Sequence, residues 1–236
     1  MQKNYYQNIL YPLQDKALRL IEKLPLDFYL TGGTALSRAY LNHRYSDDLD
    51  FFTNQNPDFN KQVEIILEAF KISKMHFDIA VTGDSFIRIL LKEKDSVLKI
   101  DFVNDVAYRT GNPGPTSLFQ NTDSILNILS NKITALSRHS PKDVADLIYI
   151  SLNYPFNWLD IVNEASQKDV WINAVEASKI LDSFPLEKLN EIIWTNLQPD
   201  ILEFEKYLRT LIADLLLGRD NSLVNKGNHP SKSKNL

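Results

Sequence analysis

The chain has 236 residues, 44% hydrophobic and 11% aromatic, enough for a substantial core in one large domain or two small ones. It has no cysteine, which excludes disulfides and thiolate metal sites, leaves oxygen or imidazole to hold any metal, and fits a reducing cytoplasm. A formal charge of −4 argues against a broad sequence-independent grip on nucleic acid, and no leader or run of about eighteen apolar residues is present, so the expectation is a cytoplasmic protein with no membrane partner.

In chain order, residues 8–23 set Ile9, Leu10, Leu13, Ala17, Leu20 and Ile21 near helical spacing and predict a leading helix. Asp27 to Thr31 reads as a short apolar strand ending at Gly32-Gly33, and Thr34 to Leu41 as the helix after that turn. A second strand is expected over Asp48 to Thr53, then a turn at Asn54 to Asp58 and a helix carrying Val63, Ile66, Leu67 and Phe70. Met75 to Thr82, Ser85 to Lys92 and Ser96 to Val103 read as strands, with Gly83-Asp84 and Lys94-Asp95 at the hairpin positions of an antiparallel meander. Loop chemistry in Thr110 to Thr116 marks a candidate boundary. From Asp123 the pattern is almost wholly helical, through Ile125 to Leu136, Asp143 to Leu152, Trp158 to Ala165 and the stripe Ile201, Phe204, Leu208, Leu211, Ile212 and Leu215. The expected fold class is α+β: a mixed sheet with flanking helices over 1–115, a helical bundle over 116–217 and a polar, disordered tail over 218–236.

Alternate residues of a strand project to one side, so Asp48 and Asp50 share a face with Leu49 on the other. Two carboxylates about 5 Å apart repel by roughly 3 kcal/mol at an effective dielectric near 20, which favours a cation between them. Mg²⁺ suits such an all-oxygen environment and keeps positions for water and phosphate. Taken alone, Asp47, Asp48 and Asp50 read more simply as solvated surface acids. Gly32 and Gly33 change that reading, because a glycine turn from strand to helix lets bare N–H groups and the positive helix end face a phosphate. Thr34 and Ser37 add hydroxyls in the first helical turn, although Thr34 as a simple helix cap is an equal alternative. In Leu98 to Val103, the residues Leu98, Ile100 and Phe102 take one face and Lys99, Asp101 and Val103 the other. Asp101 is there either a third carboxylate, able to complete a two-metal clamp or act as general base, or an exposed strand acid. His43, His76, His139 and His229 lack ligand spacing, and none is assigned to a metal.

The order Gly-Gly-Thr-Ala-Leu at 32–36, Arg-x-Ser-x-Asp-Leu-Asp-Phe at 44–51 and then a strand Asp resembles the nucleotidyltransferase AbiEii/AbiGii toxin family of the DNA polymerase beta-like superfamily. The resemblance continues through residues 131–147, where Lys132, Ala135-Leu136, Arg138 and Lys142-Asp143-x-x-Asp146-Leu147 follow the family's order. It is strong over about 28–150 and loose beyond. It implies a nucleotidyltransferase-type sheet domain whose active-site cleft the helical domain completes. Asp48 and Asp50 would bind Mg²⁺ with Asp101 as third acid, two ions in all, and these acids would be the catalytic residues. Gly32, Gly33, Thr34, Ser37 and Arg44 would bind the nucleotide, Lys132 would reach a phosphate, and Asp143 or Asp146 would organise the basic side of the pocket. Arg44 and Arg138 suit bidentate phosphate contacts, with surface salt bridges as the alternative; Lys132 could equally be a solvated helical lysine and Asp143 a helix-start acid. Gly33-Thr34 stands where the superfamily most often has Gly-Ser, which keeps the hydroxyl and adds a methyl group.

The implied reaction is attack by an acceptor hydroxyl on the α-phosphate of an NTP, transferring NMP and releasing pyrophosphate. The acceptor would be RNA, foremost the 3′ end of tRNA, or a protein side chain, and the protein a toxin of a type IV-like toxin–antitoxin or abortive-infection system with a cognate antitoxin. Lys132, Arg138, His139 and Lys142 form the evident basic cluster and suffice for a few phosphates. Two other readings stay open: a small-molecule, antibiotic-type nucleotidyltransferase, and a catalytically idle module that engages a partner.

Overall fold

The structure, a computed structural model, describes residues 2–224 and residue 226. The chain forms two compact units, one of residues 1–131 with 190–198 and one of residues 132–189 with 199–236.

The first unit is built on a five-stranded sheet: β1 (Tyr29–Thr31), β2 (Leu49–Asn54), β3 (His76–Thr82), β4 (Phe86–Glu93) and β5 (Ser96–Asp105), in the order β1-β2-β5-β4-β3. β3, β4 and β5 form the expected antiparallel meander, and β2 joins it parallel to β5. Strict alternation produces two unlike faces. Leu49 and Phe51 of β2, Ile87 and Ile89 of β4, and Leu98, Ile100 and Phe102 of β5 are all buried, and Phe51 stacks on Phe102 with ring centroids 5.7 Å apart. Helix Phe59–Ile72 contributes Phe59, Val63, Ile66 and Phe70 to this core, with Phe59 edge-on to Phe28 and Phe70 against Phe77. The leading helix begins at Gln2 rather than near residue 8. It runs through Gln2–Tyr5, a π-helical stretch Tyr6–Leu10 and Tyr11–Ile21, and buries Leu10, Leu13, Ala17, Leu18 and Ile21. The opposite face of the sheet is half-buried and carries the charged side chains.

Loop 110–116 does not end this unit. Gly114 and Thr122 exchange backbone hydrogen bonds, Leu30 N–H donates to Asn121 O at 2.8 Å, and Asp123 N–H donates to Leu30 O at 2.9 Å, so the chain stays on the edge of β1 until helix Ile125–Thr134. Residues 190–198 return to the same unit, where Tyr45 N–H donates to Ile193 O at 2.8 Å and Thr195 N–H to His43 O at 3.2 Å.

The second unit is helical, with Pro141–Asn153, Trp158–Lys168, Ala174–Asp182 and Ile201–Leu217 as its long elements. Side chains of Asn157, Asn173 and Asp200 accept backbone N–H groups at three of the N-termini, which fixes where those helices start. Helix Ala174–Asp182 escapes the apolar pattern because its buried positions, Ala177, Ser178 and Leu181, include two small residues. The tail expected to be disordered from Gly218 is ordered at its start. Gly218 caps the last helix at φ +57°, Asn221 Nδ2 donates to Ser151 O and Tyr154 O, and Leu223 is buried. Polar composition misleads there because Asn221 and Asp214, a buried acid bonded by Arg219 Nε at 2.6 Å and Ser222 N–H at 2.8 Å, spend their polarity on the packed chain. Residue 225 and residues 227–236 of that expectation lie outside the described residues. Among the described residues, no helix is long and apolar enough to cross a membrane.

Candidate active site

β1 ends in the turn Gly32–Thr34, which runs into a π-helical segment Ala35–Leu41. Gly32 has φ +70°, a left-handed conformation that side chains resist, and a Cβ there would run into Asp50 Oδ2. A Cβ on Gly33 would lie 2.7 Å from Arg44 Nη2 and 3.1 Å from Ser46 Oγ. The two glycines are thus needed for close approach, one by an acid and one by a guanidinium.

The hydroxyls beside them do other work. Thr34 is fully buried and does not cap the helix; its Oγ1 donates to the Asp48 carbonyl, pinning the loop that delivers the acids. Ser37 Oγ is buried without a hydrogen-bond partner among the described residues. Neither hydroxyl lies on the surface where a phosphate would meet it, contrary to the expectation from sequence. Arg44 is 2% exposed, donates from Nη1 to Tyr45 O at 3.0 Å, and forms a backbone bridge with Trp194, so it underlies the turn instead of lying on the surface.

Loop 44–48 is held by the leading helix. Gln14 Nε2 donates to Ser46 O at 3.1 Å and Asp47 O at 3.0 Å, Tyr11 OH accepts from Ser46 N–H at 3.2 Å, and Tyr6 OH donates to Asp47 Oδ1 at 2.5 Å. Tyr6 also stacks on Tyr45 at 4.5 Å. Burial, then the hydrogen bond to Asp47, raises the Tyr6 hydroxyl well above its ordinary value and keeps it a donor. Asp47, the first acid of the triplet, is therefore structural.

The other acids gather on the charged face of the sheet. Asp50 on β2 pairs with Thr31 of β1 and with Asp101 of β5, and Asp101 pairs with Arg88 of β4. Arg88 grips Asp101 with both ends of its fork, Nε to Oδ1 at 2.7 Å and Nη2 to Oδ2 at 2.8 Å. Lys99, two residues before Asp101 on the same face, reaches Asp48 Oδ2 at 2.6 Å. The bond to Asp101 raises the pKa of Arg88 further, with Asp48 and Asp50 adding to it. Partial burial works against the charge on Lys99, but the bond to Asp48 and the nearby Asp101 outweigh it and its pKa is raised. Asp101 is 7% exposed and ion-paired, so it is not the exposed strand acid of the simpler reading.

Among the described residues no three acidic or imidazole side chains converge as a ready metal-ligand set, and Asp48 and Asp101 each pair with a basic side chain of β5 or β4. The chemistry still suits a hard divalent ion: the donors are all oxygen, and the Asp48 partner is a single ammonium in a pair whose side chains are 33% and 36% exposed. Asp48 and Asp50 fit such an ion; Asp101, with one bond from Arg88 to each oxygen, keeps a lone pair on each for it.

A buried acid that the sequence pattern does not single out braces the turn from below. Asp123, fully buried, accepts from Thr31 Oγ1 at 2.6 Å, from Asn127 Nδ2 at 3.0 and 2.8 Å, and from Arg109 Nη2 at 3.1 Å. Thr31 is the last residue of β1 before Gly32, so this network sets the strand end from which the turn springs.

In the second unit Lys132 and both candidate acids come together. Lys132 Nζ lies 2.6 Å from Asp143 Oδ1 and 2.7 Å from Asp146 Oδ2, with the three side chains 11%, 11% and 0% exposed. Lys132 is thus not a solvated helical lysine, and Asp143, though in the first turn of its helix, is more than a helix-start acid.

A mixed sheet carrying acids beside a glycine turn, with flanking helices and a helical bundle after it, is an α+β fold of the nucleotidyltransferase type. Residues 18–214 match the family described as "Nucleotidyl transferase AbiEii toxin, Type IV TA system", and the chain belongs to that family. The fold is similar to the crystal structure of JHP933 from Helicobacter pylori, with a TM-score of 0.61 and 21% identity over 87% of this chain and 91% of that one. It is also similar to the crystal structure of a candidate nucleotidyltransferase from H. pylori, with a TM-score of 0.63 and 22% identity over 87% and 94% of the two chains. An uncharacterised protein of Aquifex aeolicus (strain VF5) is 25% identical over 214 residues, 86% of this chain and 96% of its own length.

Proposed function

We propose that this protein is an Mg²⁺-dependent nucleotidyltransferase that moves NMP from an NTP to an acceptor hydroxyl. The observation that carries the reading is the placement of Asp50 against Gly32, with Asp48 two residues before it and Asp101 beside it in register. A purely structural role gives no reason to set three carboxylates next to a glycine turn.

In the reaction, the acceptor oxygen forms a bond to Pα as the bond from Pα to the bridging oxygen of the pyrophosphate breaks, and the electron pair leaves with pyrophosphate. Asp48 and Asp50 would hold the divalent ion, with Asp101 joining as a ligand for a second. Bound there, the ion would supply charge compensation for the leaving oxygen and a lower pKa for the acceptor hydroxyl. Gly32 and Gly33 open the turn to phosphate oxygens through backbone N–H groups; Thr34 fixes the acid loop through the Asp48 carbonyl. The acceptor proton passes to solvent, or to Asp101 once one of its oxygens is released, since a carboxylate bound twice by a guanidinium is a weak base. The buried Lys132–Asp143–Asp146 cluster orders the start of the helical unit.

The acceptor we favour is RNA, with the 3′ end of tRNA first and a protein side chain second, and the setting is cytoplasmic, as a toxin restrained by an antitoxin. Family membership supports the toxin–antitoxin setting. The test is incubation of each of four α-labelled NTPs with Mg²⁺ and total cell extract, followed by separation of RNA, protein and small molecules. Label in RNA or protein supports the reading; label confined to small molecules makes this an antibiotic-type enzyme, and none in any fraction favours a partner-binding module.

A further inference from the structure

Two basic side chains, Arg88 and Lys99, stand on the charged sheet face among the acids. The register sets Arg88 of β4 beside Asp101 of β5, and Lys99 two residues along β5 beside Leu90. Neither is a sealed core pair: the Arg88 side chain is 34% exposed and that of Lys99 33%. Both hold carboxylates that would bind a divalent ion, so each occupies the electrostatic place of that ion.

Divalent ions on Asp48, Asp50 and Asp101 would make these two cations redundant to the acids and leave the face with surplus positive charge. A triphosphate, with several anionic oxygens, is the ligand that restores balance. Guanidinium and ammonium groups already turned toward this face need only a change of partner to reach it.

We propose that Lys99 and Arg88 are alternating counter-ions: they pair with Asp48 and Asp101 and transfer to the triphosphate when cation and nucleotide enter. The inference rests on the nucleotidyl-transfer reading. It makes metal and phosphate binding mutually dependent, because each ligand removes a competitor or supplies a partner for the other.

The test uses Mn²⁺ as the metal and inorganic tripolyphosphate as a base-free stand-in for the nucleotide, on the full chain. Free Mn²⁺ is followed by electron paramagnetic resonance and tripolyphosphate by calorimetry in excess Mg²⁺. For Lys99→Met, Mn²⁺ affinity without phosphate rises about three- to tenfold and tripolyphosphate affinity falls about tenfold; Arg88→Gln shifts both in the same directions. Lys99→Gln serves if the Met variant does not fold. Wild type that binds both probes, with folded variants whose Mn²⁺ affinity is unchanged or lower, or whose tripolyphosphate affinity is unchanged, overturns the exchange and leaves nucleotidyl transfer standing. Wild type that binds neither probe overturns the nucleotidyl-transfer reading and the exchange with it.

Discussion

Asp50 and Asp101 stand opposite each other in register on neighbouring parallel strands, two carboxylates on one sheet face. Their repulsion is offset in the protein by the fork of Arg88 on Asp101. Asp50→Asn should abolish divalent-ion binding. Thermal unfolding with and without Mg²⁺ checks this: wild type melts higher with the ion and the variant gains nothing from it.

Gly32 combines φ +70° with a Cβ position that runs into Asp50. Gly32→Ala should lose about 2–4 kcal/mol, from left-handed strain and overpacking together. Urea unfolding measures the loss. Gly33→Ala meets the buried Arg44 guanidinium and a serine hydroxyl but carries no positive-φ strain, so it should cost less.

The glycine turn, the Asp48-x-Asp50 pair and the strand acid Asp101 are legible in sequence because each is a local pattern: a strand–helix junction or a period of two. Arg88 is not, because its meaning depends on which residue of β4 faces Asp101, a register fixed by the hairpin at Lys94-Asp95 and by sheet packing. Lys99 is visible as a neighbour of Asp101 on one face, but its bond to Asp48 requires β2 and β5 to be adjacent and parallel. Asp123 reads only as the start of a helical region, since nothing local signals that it returns to bond Thr31. The Thr34 hydroxyl is misread for a similar reason. Its position in the turn is clear from sequence, but its direction, inward to the Asp48 carbonyl, is set by tertiary packing. The unit boundary shifts past residue 131 because the 121–123 segment adds to β1, a long-range pairing without composition of its own.

Burial holds the Asp123 carboxyl above its ordinary 3.8, despite opposing hydrogen bonds from Thr31 and Asn127 and the charge of Arg109. The folded state keeps a proton that the unfolded chain releases, so this group's contribution to stability falls as pH rises from 3.8 through its folded value. Asp123→Asn lacks that titration. Urea unfolding of both proteins from about pH 3 to about pH 7 should find wild type losing ground to the variant across that window, with a constant difference above it.

Lys132 serves two carboxylates in a nearly dry environment. Lys132→Met should destabilise the protein by about 3–5 kcal/mol by leaving buried charge behind, and adding Asp146→Asn should recover part of that loss. A double-mutant cycle by chemical denaturation gives the coupling directly.

If the acids beside the glycine turn direct attack to the α-phosphate, one NTP labelled at the α- or the γ-phosphate, supplied with Mg²⁺ and total RNA to wild type and to Asp48→Asn, shows it. Wild type should place α-label in the acceptor and release γ-label as pyrophosphate, and the variant should do neither. Transfer of the γ-label to the acceptor, or equal α-transfer by Asp48→Asn, would rule that role out.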